Sequence, residues 1–185
     1  EIKSKNKPIV FFSGHFSNFE LLAMIIEQNN FNISAIYRPL NNIFLNPVMK
    51  YLRVKYLCKN QIPKAIPGKR NGGTRMLLKQ IKQKKNIALM IDQKVNEGIV
   101  SELFGRKALT LNIPAQLAIK YGYMLIPLEI KREKKIEFSI KINDPIEIDE
   151  VDDQYSITKK LNEELESMIK NNPSQWIWTH DRWRI

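Results

Sequence analysis

The feature that most constrains this chain is a repeated exchange of one hydrophobic period for another. Short apolar runs at 8-PIVFFS-13, 32-NISAIY-37 and 86-NIALMID-92 each give way to, or follow, a segment whose apolar residues recur at helical spacing. Runs of that length predict buried strands, and the segments between them predict amphipathic helices over roughly 17–29, 42–57, 73–85, 112–121 and 156–171. In the first of these, Phe19, Leu22, Ala23 and Ile26 share one face. Strand followed by helix, repeated, predicts an α/β fold with a largely parallel central sheet flanked by helices. Two further strand-like runs, 123-YMLIPLEI-130 and 135-KIEFSIKI-142, have no helix between them. In the second, Ile136, Phe138, Ile140 and Ile142 alternate with polar residues, as on a half-buried strand. The intervening 131-KREKK-135 reads as a hairpin turn, so the sheet is expected to be mixed and mostly parallel. Neither a repeat nor a low-complexity linker interrupts the pattern, and residues 1–185 are expected to form one domain.

Composition excludes several classes. Hydrophobic residues at 43% and charged residues at 26% suit a folded core and not a disordered chain. The single cysteine, Cys58, rules out an internal disulfide and a cysteine metal cluster, and reads as a small core or surface thiol. The longest apolar run, 21-LLAMII-26, is far short of the ~18–20 residues that span a bilayer. The net charge is +11, and its distribution is uneven. Between Gln28 and Ile91 there is no acid, while thirteen cations fall there: Arg38, Lys50, Arg53, Lys55, Lys59, Lys64, Lys69, Arg70, Arg75, Lys79, Lys82, Lys84 and Lys85. Such a block is either a solvated lysine-rich surface or a surface for phosphates, anionic lipid or an acidic carrier protein. The acids concentrate elsewhere, as in 144-DPIEIDEVDD-153.

Chemistry concentrates at 14-GHFSNFE-20, in the joint after the first strand. Ser17 and Glu20 fit a capping box, which is the structural reading of that pair. His15 is left unexplained by it. A side chain just past a strand that feeds a helix stands at the ligand edge of an α/β sheet. Glu20, in the first turn, leans toward the helix N-terminus. There it is expected to fix the imidazole tautomer and leave the other ring nitrogen as a general base. Ser13 and Ser17 flank His15, but no G-x-S-x-G elbow is present, and residues two apart do not assemble a hydrolase triad. With His15 and His180 the only histidines, a metal site is not expected. A base acting on an external nucleophile, such as a substrate hydroxyl, fits what is left.

The stretch 14-GHFSNFE-20 resembles the H-x4-E block of the lipid A biosynthesis acyltransferases, the late lauroyl/myristoyl enzymes of the wider lysophospholipid acyltransferase superfamily. Further blocks come in the family's order. The run 36-IYRPLNNIFLN-46 resembles its Y-R-P-x-x-N/D block, and 90-MIDQ-93 its D-Q strand end. The run 103-LFGRKALTLNIPAQLA-118 resembles its F-F-G-x-P-A-x-T-x-x-x-P-A-x-L-A segment, and 176-WIWTHDRWR-184 its closing W-x-W-x-H-x-R-W block. The resemblance covers about residues 8–184. Lys107 departs from the usual Pro, and Gln93-Lys94 from the commoner D-Q-D.

The resemblance implies a glycerol-3-phosphate-acyltransferase-like fold, and residues 1–185 are expected to lack the family's N-terminal membrane-anchor region. It implies acyl transfer from an acyl carrier protein thioester to a hydroxyl of a phosphorylated lipid A precursor, without a cofactor. His15 would be the base and Glu20 its orienting partner. Arg38, Asp92, Arg106 and Thr110 form the candidate substrate-binding set. Arg38, before Pro39, is expected at a strand end, placed for a phosphate or an oxyanion. Asp92 is expected to pair with Arg38 or another cation, with structural and catalytic roles both open. Gly105 would let backbone approach a ligand beside Arg106, and Thr110 would meet a phosphate or cap the helix at 112. Trp176, Trp178 and Trp183 read as packing for the final segment or as an interfacial aromatic belt, and His180 as a structural histidine. The expected partners are the carrier protein, the phosphorylated glycolipid and an anionic membrane surface, at the cytoplasmic face of the bacterial inner membrane. Alternatives on the sequence are another glycolipid or a lysophospholipid as acceptor, acyl-CoA as donor, or a catalytically dead scaffold. A basic nucleic-acid-binding module is disfavoured, because no recognised signature accompanies the charge.

Overall fold

The computed structural model describes residues 6–64 and 71–184. In chain order the elements are β1 (Ile9–Ser13), α1 (Glu20–Gln28), β2 (Ile33–Tyr37), α2 (Leu45–Leu52) with a π-helical turn (Arg53–Leu57), β3 (Asn60–Pro63), α3 (Gly72–Lys82) and β4 (Asn86–Met90). Next come β5 (Ile99–Leu103), β6 (Arg106–Thr110), α4 (Ile113–Tyr121), β7 (Met124–Lys134), β8 (Glu137–Ile142), α5 (Gln154–Asn171) and a 3-10 turn (Pro173–Gln175). β1 pairs with β7, β2 with β3 and β2 with β4 in parallel, and β7 pairs with β8 antiparallel, so the central strands are mixed and mostly parallel. This is the α/β fold that the alternation predicts. The chain divides into two compact units, one made of residues up to Phe19 and from Met90 onward, the other of Glu20–Leu89.

In the first unit β7 runs parallel to β1, from Ile9↔Met124 to Phe12↔Pro127, and antiparallel to β8. Every residue of β1 is buried, which is why its run is continuously apolar and not alternating. Helix α5 buries Ile157, Leu161, Leu165 and Met168 along one face. It starts at a capping box: Ser156 N donates to Asp153 Oδ1 at 2.8 Å, and Asp153 N to Ser156 Oγ at 2.9 Å. The turn expected at 131–135 is largely strand, because β7 continues to Lys134 across a register shift between Arg132 and Lys134. The reversal comes at Lys135, whose φ is 35°, and leaves Ile136 88% exposed outside the strand.

Hairpin β5–β6 is absent from the sequence-based expectation. Its strands pair from Ile99↔Thr110 to Leu103↔Arg106 around Phe104 and Gly105, with φ of 53° and 68°. Two consecutive positive φ values make the tight turn whose twist suits paired strands. Gly105 therefore serves the turn. Helix α5 holds the hairpin, since Asn162 Nδ2 donates to Glu102 O at 2.8 Å and Glu166 Oε1 accepts from Phe104 N at 2.5 Å.

In the second unit β2 is flanked by β3 and β4, both parallel to it, with Ser34 opposite Asn60 on one side and Ile87 on the other. Leu22, Ile26, Ile33, Ile62, Ile81 and Ile87 are buried. Cys58 is 2% exposed, and burial pushes its thiol up to about 11, so it is an inert core residue. Within the basic block, Lys69 and Arg70 lie outside the described residues.

Candidate active site

The end of β1 is built so that His15 has one position. A Cβ at Gly14 would stand 2.8 Å from the Phe16 ring and 3.0 Å from Leu165, so only glycine fits that close approach. The final segment then runs beside residues 15–17. Ile177 N donates to His15 O at 3.0 Å, Ser17 N donates to Gln175 O at 2.8 Å, and Phe16 bridges to Trp176. On the other side, Ile91 N donates to Ser13 O at 3.0 Å and brings the residue after it, Asp92, alongside His15.

Asp92 is 3% exposed and carries three donors. Its Oδ1 lies 2.7 Å from His15 Nδ1, and its Oδ2 accepts from His15 N at 2.8 Å and from Trp176 Nε1 at 2.9 Å. Burial by itself pushes this carboxyl up. The hydrogen bonds from His15 and Trp176, with the charge of His15, outweigh it and hold the group below the usual carboxylate range. An ionised Asp92 can only accept, so Nδ1 carries a proton, and in the neutral ring the lone pair is then on Nε2. Phe19 packs edge-on against the imidazole, with ring centroids 4.5 Å apart. At Nε2 the neighbour is the Gln93 amide at 3.4 Å, a length at the outer limit of a hydrogen bond that a substrate hydroxyl can displace. With 17% of its side chain exposed, His15 is reachable yet held on one edge. A histidine fixed through one nitrogen and basic at the other is the arrangement that draws a proton from a hydroxyl.

The carboxylate that contacts the His15 ring is Asp92, where Glu20 was expected. Glu20 Oε1 instead accepts from Arg53 Nε at 3.1 Å and Nη2 at 2.6 Å, and the guanidinium also lies 5.2 Å from the Tyr37 ring centroid. The capping box does not form as expected, because α1 starts at Glu20 itself and the Ser17 amide is taken by Gln175. Asp92 pairs with a histidine, where the sequence suggested Arg38 or another cation. Arg38 is exposed just after β2, at the strand end foreseen for it. Ser13, buried, donates its hydroxyl to Leu128 O at 2.6 Å and is no nucleophile.

Arg106 is exposed at the head of β6, with its guanidinium 5.8 Å from the Trp183 ring centroid. Thr110 is 0% exposed and does not cap α4, whose N-cap is Asn112. Its hydroxyl accepts from Arg182 Nη2 at 2.7 Å and from Asn162 Nδ2 at 3.1 Å. Arg182, equally buried, also donates to Leu109 O at 2.8 Å; burial pushes its guanidinium down and the charge of Asp92 pulls it back. The tryptophans divide. Trp176 is buried on Asp92, Trp183 donates to Leu103 O at 3.0 Å, and Trp178 is 55% exposed. Packing of the final segment thus accounts for two of the three. His180 is exposed.

Two functional partners escaped the sequence-based reading: Asp92 as the anchor of His15, and Trp176 as a donor to that anchor. One signal could have found the first. Asp92 and His15 both lie just past the carboxyl ends of strands, the edge at which α/β sheets collect their reactive groups. Among known families, the model of the bacterial lipid A biosynthesis acyltransferases matches residues 1–185. No curated protein matches the chain.

Proposed function

Because the chain belongs to the bacterial lipid A biosynthesis acyltransferase family, we propose that it moves a fatty acyl chain from an acyl carrier protein thioester to a hydroxyl of a phosphorylated lipid A precursor. The observation that carries this reading is the Asp92–His15 pair, with Nδ1 held at 2.7 Å and Nε2 turned to a displaceable neighbour. His15 Nε2 takes the hydroxyl proton as the oxygen attacks the thioester carbonyl. The tetrahedral oxyanion collapses and expels the carrier thiolate, which takes the proton back from the imidazolium. One C–O bond forms, one C–S bond breaks, and the base returns to its starting state with no acyl-enzyme. Asp92 stabilises the imidazolium through the interval, and such a base contributes ~10²–10⁴-fold.

The exposed cations Arg38 and Arg106 are the candidates for acceptor phosphates or the acidic carrier. Glu20 is held by Arg53, and its expected part in catalysis stays a proposal. In this reading the transfer takes place at the cytoplasmic face of the inner membrane, where the acceptor and the carrier would meet. The decisive assay incubates the chain with acyl carrier thioester and phosphorylated lipid A precursor and reads the products by mass spectrometry. The expected result is a gain of one acyl chain on the precursor, lost in His15→Ala. Transfer at an undiminished rate in that variant overturns the assignment of the base, and transfer from acyl-CoA alone overturns the assignment of the donor.

A further inference from the structure

Helix α2 has no buried residue. Its apolar residues nevertheless fall in register: Phe44, Val48, Tyr51 and Leu52 recur at i, i+4, i+7 and i+8, and all face solvent, at 80%, 53%, 59% and 38% exposure. Ile43 at 75% and Leu45 at 56% extend the stripe at its leading end, and Val54 and Tyr56 continue it past the helix. Single exposed apolar side chains are ordinary on any protein. A continuous row in helical register, which a soluble helix would turn inward, marks an interaction surface.

The charges around the stripe decide what it meets. Lys50, Lys55 and Lys59 are exposed along the same stretch, and no acid occurs between Gln28 and Ile91. The Lys55 ammonium lies 5.4 Å from the Tyr51 ring centroid and 5.1 Å from that of Tyr56. Lysine beside tyrosine, next to bulky aliphatic and aromatic side chains, is the chemistry of the zone between lipid headgroup and acyl chain. A second copy of the chain would bring these cations face to face with no acid on the stretch to relieve them. An anionic bilayer supplies both the hydrocarbon and the opposite charge.

We propose that the stripe from Ile43 to Tyr56 is a docking surface for an anionic lipid bilayer, its apolar side chains entering the acyl boundary while Lys50, Lys55 and Lys59 meet lipid phosphates. This surface stands on its own residues and independently of the acyl-transfer reading, and its test needs neither donor nor acceptor. The chain is sedimented with vesicles of phosphatidylethanolamine and phosphatidylglycerol, and with vesicles of phosphatidylcholine alone. Binding is expected to the anionic vesicles and to fall as salt is raised. The double variant Phe44→Ser/Val48→Ser should bind about tenfold more weakly or worse, because two apolar side chains no longer enter the bilayer. The variant Lys50→Glu/Lys55→Glu should lose the preference for anionic lipid. Circular dichroism reports whether each variant is folded, and Phe44→Ser alone, at the most exposed position, serves if the double variant is not. Vesicle binding that none of these substitutions weakens overturns the proposal. So does a chain that ignores vesicles and forms a dimer that Phe44→Ser dissolves, which would make a second copy the occupant. A monomer that binds neither overturns it as well.

Discussion

Asp92 grips His15 twice, with Oδ1 at 2.7 Å from the ring Nδ1 and Oδ2 at 2.8 Å from the same residue's backbone nitrogen. The two contacts fix the ring and the backbone that carries it as one body. Asp92→Asn keeps the shape and removes the charge that makes Nδ1 the protonated nitrogen. The expected result is a fall in kcat of about 10²–10⁴-fold with KM little changed, since the loss falls on the transition state and not on binding. Steady-state transfer with both substrates varied checks it, and a loss carried by KM alone would show that Asp92 serves binding.

NMR distinguishes the carboxylate close to this histidine in sequence from the one bonded to it in space. A ring N–H donated to a buried carboxylate gives a downfield proton resonance. That signal is expected in the wild type, lost in Asp92→Asn, and retained in Glu20→Gln, because Arg53 is the partner that holds Glu20. A signal lost in Glu20→Gln and retained in Asp92→Asn would return the orienting role to Glu20.

Local pattern carried most of the fold and little of the site's wiring. The buried strand β1 and the amphipathic helices α1, α3 and α5 are set by hydrophobic period, a property of neighbouring residues. Strand β3 is four residues long and ends in Pro63, too short and too weak in strand propensity to signal itself. Hairpin β5–β6 hid behind Phe104, because a non-glycine residue with positive φ does not advertise a turn. His15 stood out by its place at a strand end. Its partner did not, because Asp92 is 77 residues away and the pairing is made by β1, by the segment after β4, and by Trp176 from the far end of the chain. The burial of Thr110 was hidden for the same reason: burial is a property of the packed chain, and a threonine in a motif looks alike whether it faces a ligand or an arginine.

Acid stability should carry the mark of Asp92. Its folded carboxyl lies below the ordinary value, so it adds stability that is fully present above the unfolded value of about 3.9 and is lost as pH falls through the lower folded value. Asp92→Asn lacks that contribution. Urea unfolding is therefore expected to show the variant less stable by ~1–3 kcal/mol at pH 6 and the gap narrowing at pH 3. A gap that widens on acidification would mean that the carboxylate is not stabilised by folding.

Thr110 offers the sharpest test of structure against motif. Its hydroxyl sits between Arg182 Nη2 at 2.7 Å and Asn162 Nδ2 at 3.1 Å, and the residue is 0% exposed. Thr110→Val keeps the volume and the branching and removes only the oxygen. It leaves a buried guanidinium and a buried amide each short of an acceptor, and Arg182 Nε already has no partner among the described residues. The expected cost is ~1–3 kcal/mol, which in a chain of this size lowers the thermal midpoint by about 2–4 °C for each kcal/mol. KM for the acceptor should not move, because the hydroxyl faces the core. Differential scanning calorimetry and a KM measurement on the same preparation check both halves. A raised KM at unchanged stability would put Thr110 back against the substrate and overturn its structural assignment.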